Sequence, residues 1–298
     1  MITIDSVTQK FDKRRSEIRA RILVDGKESS LFFQWRGVVC PNPANVFLTA
    51  MLGAAMAKGH NLKIDGRVSE TVAGMLEQVQ DRLPRFHPAL KRVGIEGGRS
   101  KKSQTPHDKT GNLIGSIFWG DLDSYFTLAR KLSITQALVF IPDLNGRADD
   151  HHNPLNRLQL IKHTASELKK ELIRVDTNLG DLYQSEPPEM YRFFAELSIG
   201  WLLSGQLARL YVPVGGHDSG RVSADSIFEG LSGSGVIDFT HHGAGKDRNE
   251  KIEDIVSNPD VLDTILVCWE NPSRAYNCGR CGSCRRIKSP LEVINGLS

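Results

Sequence analysis

The feature that most constrains this chain is an alternation that begins at residue 113. Short apolar runs trade places with longer amphipathic ones. Leu113 to Trp119 is followed by Ser124 to Leu132, and Ala137 to Ile141 by Leu155 to Leu172. Ile173 to Val175 is followed by Met190 to Leu207, and the last run is Leu210 to Val214. The short runs read as strands buried on both faces. The long ones carry apolar residues at helical spacing, as Leu158, Ile161, Ala165 and Leu168 do. Strands and helices in strict alternation predict an α/β fold with a parallel, doubly wound sheet, in which ligands gather at the carboxyl ends of the strands.

The first part of the chain follows another pattern. Ile18, Ala20, Ile22 and Val24 recur at every second position, Asp25-Gly26 is a hairpin turn signal, and Leu31, Phe33 and Trp35 continue beyond it. Asn45 is placed to cap a helix from Val46 to Lys58 that Gly59 closes. Ser69 is placed to cap a second, with Val72, Met75, Leu76, Val79 and Leu83 on one face and Pro84 at its end. Trp35 and Trp201 read as core. Residues 97–112 hold almost nothing apolar and carry Arg99, Lys101, Lys102 and Lys109. The expected organisation is therefore a smaller N-terminal α+β domain over 1–96, a linker over 97–112 and an alternating α/β domain over 113–298, which the resemblance described below implies to be nucleotide-binding.

Composition narrows the class. With 40% hydrophobic and 24% charged residues, the chain as a whole is neither disordered, nor collagen, nor coiled coil. A net charge of +3 argues neither for nor against nucleic acid. Val46 to Ala57 is too short to span a bilayer, and Phe193 to Val214 is broken by Glu196, Gln206 and Arg209, so no membrane association is expected. Met1 to Asp5 carries no basic region ahead of an apolar core, and a cytoplasmic location is expected.

Cys278, Cys281 and Cys284 follow one another at two-residue gaps, and Cys268 lies ten positions before the first. That spacing turns successive sulfurs toward one ion, as tetrahedral Zn²⁺ requires, and the interposed glycines allow the tight turns. A closed structural zinc site is the leading reading; an iron–sulfur cluster and free or redox thiols stay open. Arg280, Arg285, Arg286 and Lys288 are placed to offset the thiolate charge. Such a knuckle would pin a C-terminal helix over Pro290 to Leu297. Cys40 reads as a buried or loop cysteine.

Phe118-Trp119-Gly120-Asp121-Leu122-Asp123-Ser124 joins the first strand of the alternating region to its helix, where a phosphate meets free N–H groups and the positive end of the helix dipole. The segment is neither a Walker sequence nor a dinucleotide fingerprint. The competing reading is a tight turn in which Asp123 or Ser124 caps the helix. Further on, Asp143 follows the second strand, His217 and Asp218 lie beyond the fourth, and His241, His242, Lys246 and Arg248 fall in a polar stretch ahead of a helix from Asp247 to Val256. Each is a candidate contact for substrate or phosphate, and each is also compatible with a plain surface loop. Asp149-Asp150-His151-His152 reads more simply as a solvated loop than as a metal site.

The strand-to-helix segment resembles the Ser-Gly-Gly-x-Asp-Ser loop of the ATP-pyrophosphatase group of adenine nucleotide alpha hydrolases. Phe118, Gly120, Asp123, Ser124 and Thr127 match it. Trp119 replaces the first serine and Asp121 the second glycine. With the cysteine pattern near the C-terminus, the stretch from 113 to 298 resembles the 7-cyano-7-deazaguanine synthase family, and the whole chain more loosely resembles relatives with an added N-terminal domain. The resemblance implies an adenine nucleotide alpha hydrolase-like sheet with a C-terminal zinc knuckle. It also implies Mg-ATP held by Phe118, Trp119, Gly120, Asp121, Asp123, Ser124 and Thr127, and zinc on Cys268, Cys278, Cys281 and Cys284. The activity implied is AMP- and pyrophosphate-forming activation of a carboxylate on a small, purine-like substrate, followed by transfer to ammonia or an amine. No catalytic side chain is assigned.

Two other readings stay open. Trp119 and Asp121 close the phosphate site in one, leaving a pseudoenzyme that serves as a binding or scaffold protein. In the other, an RNA-modifying relative grips RNA with its N-terminal domain and basic linker. The near-neutral charge and the lack of an aromatic–basic stripe disfavour nucleic acid. A small-molecule partner is expected, and a homodimer is compatible with the sequence.

Overall fold

The computed structural model describes residues 1–12, 15–100, 111–142, 154–183, 188–215, 237–262, 264–265, 278, 280–282 and 284–285. The fold is α/β, and the described residues form two compact units that are each discontinuous in sequence. The first takes in the described residues within Met1–Leu113, Arg174–Leu210 and Val222–Thr240. The second takes in those within Ile114–Ile173, Tyr211–Arg221 and His241–Ser298. Among the described residues, no helix is long and apolar enough to cross a membrane.

In the first unit, β1 (Ile2–Phe11), β2 (Ser16–Val24) and β3 (Lys27–Trp35) are antiparallel, and β4 (Leu62–Ser69) and β5 (Ile95–Ser100) run parallel to β1. Asp25 and Gly26 both take positive φ, 50° and 80°, which is the turn that the Asp-Gly pair demands between paired Val24 and Lys27. Ile18, Ala20 and Ile22 point inward, the first two opposite Phe33 and Leu31 and the third opposite Ser29. Gly97 to Ser100 continue β5, so that part of the expected linker is strand; 101–110 lie outside the described residues.

Helix α1 (Pro43–Lys58) starts earlier than expected. Asn42 is its cap, accepting from the Asn45 N–H at 3.3 Å, because Pro43 fits the first helical position and leaves no donor to satisfy there. Asn45 instead steadies the next helix, since its side-chain amide holds the N–H and hydroxyl of Ser69, the cap of α2 (Glu70–Arg82). Every residue from Ala44 to Met56 is buried, which explains why α1 shows no polar face.

The second half of β8 (Glu171–Thr177) belongs to this unit and pairs antiparallel with β3, through Phe33↔Thr177, Gln34↔Asp176 and Trp35↔Val175. The Asn178 side chain locks the register, accepting from Phe32 N–H at 3.0 Å and donating to Ser30 O at 2.8 Å.

In the second unit, β6 (Leu113–Ile117) and β7 (Ala137–Phe140) are parallel. Helix α3 (Leu122–Lys131) connects them, and α4 (Pro154–Glu167) lies between β7 and β8 in sequence. The chain leaves α4 before Leu172, with Lys169 at φ 52°. The short helix α5 (Leu179–Leu182) and the longer α6 (Pro188–Leu203) follow in sequence and belong to the first unit. The ends of β9 (Leu207–Pro213) and β10 (Asp238–His242) meet in the second unit, where Val214 N–H donates to His242 O at 3.0 Å. Helix α7 (Arg248–Val256) packs on α3.

Candidate functional site

The turn from β6 to α3 is built on a buried foundation. Phe118 and Trp119 have no exposed surface. Gly120 follows with φ 71°, a conformation that side chains resist; the space beside it is open, since an added Cβ would meet nothing closer than Ile161 Cγ1 at 3.9 Å. Asp121, not Asp123 or Ser124, caps the helix. Its Oδ1 accepts from the Ser124 N–H at 2.9 Å and from the Ser124 hydroxyl, which itself accepts from Trp119 N–H at 3.0 Å. Among the described residues, the amides of Gly120, Asp121, Leu122 and Asp123 have no hydrogen-bond acceptor. The turn therefore presents consecutive free donors at the positive end of a ten-residue helix. Helix α3 is held from behind: Tyr125 OH donates to Thr264 O at 2.8 Å, and Asn258 donates to Ala129 O at 3.0 Å.

Helix α7 contributes a residue that the sequence reading missed. Asp247 and Glu250 form a reciprocal capping box that starts the helix. One turn in, Lys251 shares the inward face with Ile252 and Ile255 and is 1% exposed. Its ammonium donates to Asp123 Oδ1 at 2.7 Å and to Val214 O at 2.7 Å, and lies 5.5 Å from the centre of the Phe126 ring. Gly243, φ 103°, passes so close that a Cβ there would stand 3.2 Å from Lys251 Nζ, from Phe126 and from Val214 O. The detectable signal was a lysine on the apolar face of a helix, a position where lysine is almost never found unless paired.

His242 ends β10 with its ring stacked on Phe126, 5.1 Å between centroids, and its Nδ1 3.2 Å from Thr127 Oγ1. Burial, reinforced by the cations Lys131, Arg130 and Lys251, pushes its pKa down to about 4. Burial alone brings His241 to about 3. Both imidazoles are neutral near pH 7. Asp123, Ser124, Thr127 and His242 thus share one neighbourhood around α3. Lys246 does not join them: it pairs with Glu250 at 2.7 Å, which raises its own pKa. Arg248 is the first residue of α7. Asp143, His217 and Asp218 lie outside the described residues.

The sulfurs of Cys278, Cys281 and Cys284 lie within 4.8 Å of one another, with Cys281 and Cys284 buried. The Cys281 N–H points to Cys278 Sγ at 3.3 Å and the Cys284 N–H to Cys281 Sγ at 3.4 Å. Amide donors on sulfur stabilise thiolates, and three convergent soft ligands suit a metal such as zinc. Arg280 and Arg285 are exposed. Cys268, the C-terminal segment from Pro290 to Leu297, Arg286 and Lys288 lie outside the described residues. Cys40 stands apart, buried, with its thiol pushed up to about 12 by desolvation, which leaves it inert. Compared with known protein families and with curated proteins, the sequence matches none.

Proposed function

We propose that the protein binds ATP at the turn between β6 and α3 of an adenine nucleotide alpha hydrolase-like, doubly wound domain, and uses it to activate a carboxylate on a small, purine-like substrate. A carboxylate oxygen attacks the α-phosphorus, the bond to the β-phosphate oxygen breaks, and pyrophosphate leaves. Ammonia or an amine then attacks the acyl carbon, AMP departs with the electron pair of the broken C–O bond, and the nitrogen gives up a proton. Carboxylate oxygen is a poor leaving group and AMP a good one, so no nucleophilic side chain is needed. The residues hold the polyphosphate, by free amides and helix dipole, in line for displacement. The observation that carries this reading is the run of acceptor-free amides from Gly120 to Asp123 directly after a buried strand. Zinc on Cys278, Cys281 and Cys284, with Cys268 as fourth ligand, serves structure only.

One observation favours a second reading, a scaffold that has lost catalysis. The Asp121 carboxylate already engages the amide and hydroxyl of Ser124, groups that a phosphate would use. Calorimetric titration with MgATP separates the two. Micromolar binding, followed by pyrophosphate release with an added carboxylate and ammonia, supports the enzyme. No binding up to millimolar MgATP overturns it in favour of the scaffold.

A further inference from the structure

We infer that Lys251 is a positioning residue and the built-in counter-ion of the β6–α3 turn: its ammonium cancels the charge of Asp123, so that a polyphosphate can approach amides flanked by two carboxylates. The inference rests on the nucleotide reading above and deepens it.

Asp121 and Asp123 both stand in the turn that offers free amides. A carboxylate beside a polyphosphate repels it unless a cation intervenes. Asp121 is compensated locally, by the Ser124 donors and the helix end it caps. Asp123, in the first turn, shares the helix end but has no such donors; its side chain is one quarter exposed, and its cation is Lys251 Nζ at 2.7 Å. Lys251 is anchored on the far side by Val214 O, and Gly243 leaves room for the ammonium where a Cβ would crowd it. An ammonium has three donors, and the third has no hydrogen-bond acceptor among the described residues. Beside neutral His242, the charges that act together with Lys251 are Lys131, which lies over Tyr211, and Arg130 with its partner Asp254. Burying a lysine to form one ion pair is not an efficient way to gain stability, since an apolar residue of similar volume serves as well. A use for the charge itself explains its presence better than packing does.

The test is a double-mutant cycle read by calorimetry with ATP and with inorganic pyrophosphate, alongside thermal melts. Asp123→Asn should bind both ligands at least as tightly as the wild type, although it leaves the buried lysine unpaired and lowers the melting temperature. Lys251→Met should weaken both at least tenfold, and the double variant should recover most of that loss. A purely structural anchor gives a different order, with affinity following stability in every variant. If Lys251→Met fails to fold, Asp123→Asn and the double variant still decide, because weaker binding by Asp123→Asn overturns the inference. A folded Lys251→Met with wild-type affinity removes the inference and leaves the nucleotide reading intact. A wild-type protein that binds neither ligand removes both.

Discussion

His242 is held neutral by its surroundings, and that has a consequence for stability. In the unfolded chain the imidazole titrates near 6.5; in the folded protein it does so near 4, and His241 near 3. Between those values the unfolded state binds more protons, so stability rises with pH. The contribution is complete above about pH 6.5 and is lost as pH falls toward 4 and then 3. Melting temperature should therefore drop on acidification through that window. His242→Gln, which keeps an amide to meet Thr127 but cannot titrate, should flatten the slope. The share of His242 is about 1 kcal/mol once solvent screening is allowed for. An unchanged pH profile in the folded variant would show that His242 is not the group responsible. Cys40 makes a simpler case. A thiol displaced to about 12 carries almost no thiolate at pH 8, so it should resist iodoacetamide in the native protein and react fully in denaturant, as mass spectrometry of the Cys40 peptide would read.

At the scale of the element, the turn before α3 decides between enzyme and scaffold, and the two unusual residues in it differ. Trp119 is wholly buried, and removing it leaves a cavity worth about 3–5 kcal/mol. Asp121 is a cap, and Gly is nearly as good a cap, at a loss of a few tenths of a kcal/mol. Asp121→Gly should thus leave the fold intact, release the amide and hydroxyl of Ser124, and tighten MgATP binding severalfold in calorimetry; weaker binding would mean that Asp121 helps to hold the nucleotide. The sequence disclosed this element well, because a buried strand followed by glycine and an amphipathic helix is a local signal. It disclosed others less well. The cap of α1 is Asn42 rather than Asn45, because Pro43 is a favoured first helical residue and the helix starts there. Strand β1 was not recognised, since only Ile2 and Ile4 mark its inner face and an irregularity between Asp5 and Thr8 breaks the alternation beyond them. Lys251 was overlooked for another reason: its carboxylate partner lies 128 positions away.

Over the whole molecule, the α/β class was legible in the alternation after residue 113, whereas the membership of the units was not. The described residues within 174–210 cluster with the first unit through pairings such as Phe33 with Thr177 and the side chain of Asn178, and no local pattern announces a strand's partner. The cysteines are the opposite case, since seven consecutive positions contain three of the four and their sulfurs converge within 4.8 Å. A metal that binds the folded chain alone adds to its stability by mass action, and removing it must subtract the same amount. Metal analysis of the purified protein should find close to one zinc per chain. Stripping it with a strong chelator should lower the melting temperature by about 5–10 °C, the shift expected for a loss of roughly 2–3 kcal/mol in a unit of this size. Cys281→Ser should reproduce the loss, because Cys281 is the buried middle cysteine whose amide also donates to Cys278 Sγ. An absorbance band in the visible region would instead assign an iron–sulfur cluster to the same thiolates. A metal-free chain that melts where the wild type does would end the structural role altogether, and the three sulfurs would then have to be read as a redox site.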